Sequence, residues 1–159
     1  MSGGLRVVFD INIWIAAFLG PDSSYPLILR LSPTTTNASA DCVSLAFDGD
    51  HFSVFASPHI LKNVYRVLVE AGVSQASGKD ALSDISDIVH FSLGQILQPE
   101  RKALYQGDFE DNVILDLALA TDAQLIVTLD SKFRESSGYK GIAVMHPRDF
   151  CSRIMSQRG

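Results

Sequence analysis

Three aspartates stand where this chain can bring carboxylates together. Asp10 closes the short apolar run Arg6-Val7-Val8-Phe9, Asp130 closes Ala123 to Leu129, and Asp111 heads an apolar helix reaching about Thr121. A single aspartate after a strand or at a helix start is ordinarily a cap. Three at one edge are different. Carboxylates that close repel and raise one another's pKa, so a site holding them binds a cation or a proton. Oxygen donors without a Cys or His cluster favour Mg2+ or Mn2+ over zinc. Such ions, about 3.5–4 Å apart when paired, polarise a phosphoryl oxygen, acidify an attacking water and stabilise a leaving oxygen. The chemistry this suits is phosphodiester hydrolysis.

The convergence depends on the elements that carry the acids. In an open parallel sheet, ligands bind in the crevice outside the carboxyl ends of the strands, which is where Asp10 and Asp130 both point. The helix begun by Asp111 runs back before the strand that ends at Asp130. Its N-terminus therefore lies at the same edge, where the helix dipole tolerates a carboxylate.

The remaining pattern predicts an α/β domain. Ile11 to Leu19 is apolar enough for a buried helix and stops at Gly20-Pro21-Asp22, and Pro26 to Leu31 suggests a second short helix. A surface loop is expected around residues 32–40, inside one domain spanning 1–159. Phe52 to Ala56 alternates like a strand. Ser57-Pro58 then opens a helix with Ile60, Leu61, Val64, Val67 and Leu68 at helical spacing. Ser77-Gly78-Lys79-Asp80 resembles a capping box before Leu82, Ile85, Ile88 and Val89. Gln95 to Gln98 is a weaker strand, Ile142 to Met145 the last, and a C-terminal helix carries Phe150 and Ile154. Alternating strands and helices give a three-layer α/β/α architecture around a mostly parallel sheet of about five strands.

Composition narrows the setting. With 47% hydrophobic and 19% charged residues over 159 positions, the chain buries a core and is not disordered. No apolar run reaches about 18 residues, the length a membrane span needs. The first residues lack the basic flank and long apolar core of a signal peptide, so a cytoplasmic location is expected. Cys42 and Cys151 form no CxxC pair, and two reduced thiols fit that setting. The net charge of −5 argues against coating nucleic acid by bulk electrostatics, although acids gathered around a metal would leave the rest of the surface nearer neutral.

These residues resemble those of PIN-domain nucleases. Val8-Phe9-Asp10-Ile11-Asn12 is similar to that family's first motif, an apolar strand ending in D-x-N/S. Asp108-Phe109-Glu110-Asp111-Asn112-Val113-Ile114-Leu115-Asp116-Leu117-Ala118 is similar to its D-P-D-D-N-x-x-L-x-L-A segment, and Ile126 to Asp130 to its strand-terminal V-T-x-D. Ser57 to Leu68 matches its S-x-x-I-L-x-E-x-x-x-V-L helix in frame. The likeness runs from residue 6 to about 150 and is nearest to bacterial toxin components of toxin–antitoxin pairs, relatives of VapC-type toxins. It implies a Mg2+- or Mn2+-dependent ribonuclease in which Asp10, Asp111 and Asp130 hold metal. Asn12 and Thr128 would orient the cluster, and Asp108 would be an accessory acid. It also implies an RNA substrate, an antitoxin partner and a homodimer.

One position departs from the pattern. Asn63 stands where the family carries a helical glutamate. An amide can lend a carbonyl oxygen to a metal but has no charge and cannot act as a base. Glu70 shares that helical stripe but lies two turns on, roughly 10 Å along the axis, too far to substitute.

Other residues suit contact with substrate or simple packing. Trp14, set among apolar neighbours, reads as core or dimer surface. His59 and Arg66 flank Asn63 on its stripe and could approach an RNA phosphate. Lys132, Arg134, Lys140 and Arg148 follow Asp130 as a candidate patch against RNA. Two alternatives to the nuclease remain. One is a catalytically weakened scaffold that binds RNA or a protein. The other takes Asp10-Ile11-Asn12 as the phosphotransferase aspartate of a haloacid dehalogenase, although that motif wants a second aspartate at Asn12.

Overall fold

The computed structural model describes residues 4–19, 36–103 and 109–158. The helix suggested over Pro26–Leu31, the start of the loop at 32–35 and Asp108 lie outside them. Within the described residues the chain is a three-layer α/β/α domain with a parallel sheet. The strands are β1 (Leu5–Phe9), β2 (Phe52–Phe55), β3 (Leu125–Val127) and β4 (Ala143–Met145), in the spatial order β2-β1-β3-β4. Val7, Val8 and Phe9 are wholly buried, as befits a central strand covered on both faces.

Among the described residues the sheet has four strands where about five were expected. Residues 95–98 make only an isolated parallel bridge, Ala56 to Ile96. Gly94 explains why they run so close to β2: a Cβ there would collide with the Val54 carbonyl oxygen.

The helices are α1 (Ile11–Leu19), α2 (Ala38–Asp48), α3 (Pro58–Glu70), α4 (Gln75–Phe91), α5 (Phe109–Ala120), the short α6 (Ser131–Arg134) and α7 (Pro147–Arg158). In α3 the Ser57 hydroxyl accepts the Ile60 N–H at 3.3 Å and Pro58 takes the first turn, while Ile60, Val64 and Leu68 form the buried stripe. Two sequence expectations are corrected here. Residues 38–40 are not loop but the start of α2, whose N-terminus is capped by Asn37. The cap of α4 is Ser74, whose hydroxyl accepts the Ser77 N–H at 3.1 Å, so the helix begins before the expected box at Ser77.

The core gathers where helices meet the sheet. Phe9 packs against Trp14, Phe52 and Phe150, with ring centroids 5.4, 6.0 and 6.0 Å apart. Trp14 is fully buried and belongs to this cluster. Among the described residues no helix is long and apolar enough to cross a membrane.

Candidate functional site

The site lies at the carboxyl edge of the two central strands. The path from β1 leads to β2 on one side, and the path from β2 returns past β1 to β3 on the other. At such a switch point adjacent strands diverge in their connections and leave a crevice. Asp10 follows β1, and its backbone N–H donates to the Val127 oxygen at 2.9 Å, which extends the ladder to β3. Asp130 lies just past β3 and caps α6, its Oδ1 accepting the Lys132 N–H at 2.9 Å and the Phe133 N–H at 3.4 Å.

One hydroxyl ties the two strand ends together. Thr128, wholly buried, donates to Asp10 Oδ2 at 2.7 Å and accepts the Asp130 N–H at 3.1 Å. Asn12 donates from Nδ2 to Thr128 Oγ1 at 3.1 Å, and its Oδ1 accepts the Leu129 N–H at 3.0 Å. The other Asp10 oxygen, Oδ1, accepts the Ile11 N–H at 2.7 Å. Asn12 and Thr128 therefore fix the direction of Asp10.

A cleft of about 650 Å3 opens here, lined by Asp10, Asn12, Asn63, Arg66, Glu110, Asp111 and Asp130, with Ile11, Ile15, Ala16, Leu19, Val67 and Leu129 as its apolar wall. Asp111, in the first turn of α5, is buried. Burial pushes the Asp10 carboxyl above the usual aspartate range, against the lowering effect of the bonds from Thr128 and Ile11. The charges of Asp130 and Glu110 add to the rise. An excess of negative charge around a desolvated carboxyl is relieved by a cation.

The donors suit a hard dication, being oxygen alone and mostly carboxylate. Among the described residues no three His, Cys, Asp or Glu side chains stand at the spacing of a formed ligand set. What brings the acids together is the shared lining of one cleft.

Asn63 faces the cleft but is already engaged. Its Nδ2 donates to the His59 carbonyl at 2.8 Å, and its Oδ1 accepts Arg66 Nη2 at 3.0 Å and Nε at 3.3 Å. Glu70 pairs with Arg66 at 3.2 Å and is not among the cleft's lining residues.

Of the cations after Asp130, Lys132 and Arg134 are not among the cleft's lining residues, and Arg134 Nη1 donates to the Thr128 carbonyl at 3.3 Å. The charges of Arg134 and Arg148 both reach His146. Lys140 lines a separate hollow with Glu100 and Asp116. Arg148 borders a third hollow, which adjoins the cleft through Ala16 and Leu129, and lies 3.7 Å from Asp41. Sequence reasoning did not single out Glu110, which lines the cleft. The available signal was an acid directly preceding Asp111 in a helix's first turn.

An acid-lined crevice at the switch point of a parallel α/β sheet defines the class of protein. The family model described as the PIN domain matches residues 6–132, and the chain belongs to the PIN-domain family. PIN domains are typically nucleases that use divalent metal ions and act on nucleic acid. No curated protein matches the chain.

Proposed function

We propose that this protein is a Mg2+- or Mn2+-dependent endoribonuclease, the toxin component of a toxin–antitoxin pair. The observation that carries the reading is the shared cleft of Asp10, Asp111 and Asp130, borne by three separate elements. The dication held by these acids would supply Lewis acidity toward the phosphoryl group and a more acidic water. The chain's own residues do the rest. Thr128 and Asn12 hold Asp10 in one orientation. Arg66, held between Asn63 and Glu70, offers guanidinium donors to a backbone phosphate entering between acids. The wall of Ile11, Ile15, Leu19 and Leu129 offers apolar surface to a base.

The test is cleavage of a mixed RNA pool with Mn2+. Wild type should cut, and Asp10→Asn and Asp130→Asn should each lose at least about 100-fold, in the range seen when a group acting on the transition state is removed. Uncut RNA with wild-type protein and Mn2+ would overturn the reading.

A weakened scaffold stays as a second reading because Asn63 gives the site no charge and its oxygen is taken by Arg66. Metal binding and RNA binding without cleavage would favour it. An antitoxin partner, a homodimeric state and a cytoplasmic setting belong to the first reading. Light scattering of the isolated protein tests the dimer.

A further inference from the structure

In the PIN-like helix pattern a glutamate stands on α3, and here that helix turns a guanidinium toward the cleft instead. Asn63 Oδ1 receives two donors of Arg66 at 3.0 and 3.3 Å. A carbonyl oxygen already held by a cation is a poor ligand for a dication. The Asn63 oxygen therefore meets a guanidinium, itself paired with Glu70, where a carboxylate would serve the metal.

The facing wall compensates. The first turn of α5 carries two consecutive acids, and both line the cleft. Consecutive helical residues point about 100° apart, so Asp111 is buried while Glu110 stays exposed. Glu110 is not left loose. Its Oε2 lies 2.7 Å from His59 Nε2, a bond that crosses from α5 to α3. His59 is one turn from Asn63, packs edge-on against Phe109 with centroids 6.5 Å apart, and offers its carbonyl to the Asn63 amide. The longer glutamate side chain is thus drawn toward the α3 side of the cleft.

We infer that Glu110, steered by His59, supplies from α5 the metal-binding carboxylate that α3 lacks at Asn63. The inference rests on the metal-dependent reading above. Its plain rival is a surface hydrogen bond between His59 and Glu110 that is indifferent to metal.

Calorimetric titration of Mn2+ into RNA-free protein separates them. Wild type, Asp10→Asn, Glu110→Gln and the double variant Glu110→Gln/Asn63→Glu are compared, with metal-free melting to show that each is folded. Glu110→Gln should bind at least about 10-fold more weakly, since affinity follows the number of charged ligands. The double variant, with its carboxylate moved to α3, should recover most of that loss. Equal affinity in wild type and Glu110→Gln, or no recovery in the double variant, overturns the inference and leaves the metal site standing. A wild type that binds no Mn2+ overturns both together.

Discussion

The Thr128 hydroxyl serves Asp10, Asn12 and the Asp130 amide at once, which gives a single oxygen control over two of the acids. Thr128→Val keeps the shape and removes the bonds. It should cost about 1–3 kcal/mol in urea unfolding, because the buried partners lose their donor or acceptor, and it should weaken Mn2+ binding as Asp10 is released. His146 gives a pH prediction. Burial and the charge of Arg134 hold its pKa below the usual value. A histidine depressed in the folded state contributes stability above its unfolded pKa, and that contribution is lost as pH falls through the folded value. Its imidazole should titrate below about pH 6.5 by NMR, and His146→Gln should flatten the loss of stability on that acid side. At this scale the sequence was readable where an acid ends an apolar run, as at Asp10 and Asp130. At Glu110 it showed only an acid beside Asp111, because the bond to His59 joins residues far apart in the chain.

Among the elements, Gly94 sets how closely the end of α4 approaches β2. Its N–H closes the helix on the Val89 carbonyl at 2.8 Å, and the space for a Cβ is filled by the Val54 carbonyl. Gly94→Ala must push backbone against backbone, so it should destabilise by about 3 kcal/mol or more in urea unfolding, at the upper end of overpacking costs. The helices that were legible have an apolar stripe, as α3 does with Ile60, Val64 and Leu68. Helix α2 has none: Ala38 through Ala46 are buried without interruption, Ser39, Asp41 and Ser44 among them. With no polar face, periodicity carries no signal. The usable signs were its ends, Asn37 as N-cap and Gly49 in the left-handed region at φ 75°. The weak strand at 95–98 failed differently. Its residues lie beside β2 but pair with it through a single bridge, Ala56 to Ile96.

For the molecule as a whole, alternating periodicities made the α/β class legible, but the strand order was not, because pairing joins segments over a hundred residues apart. The same long-range closure shows in the thiols. Cys42 on α2 and Cys151 on α7 are both free and buried, their sulfurs 3.5 Å apart. Burial, with Cys151 adding to it, pushes the Cys42 thiol well above the usual cysteine range, so almost no thiolate forms in the native state. Neither cysteine should react with Ellman's reagent until denaturant is added, when both should.

The pairing of β1 with β3 divides the candidate site between two lengths of chain. Everything through α4 holds Asp10, Asn12, His59, Asn63 and Arg66, whereas Glu110, Asp111, Thr128 and Asp130 arrive only with α5 and β3. A ribosome that has released only the first ninety residues has made half of a pocket with no opposite wall. The crevice has both of its walls only once the chain has been made through Asp130.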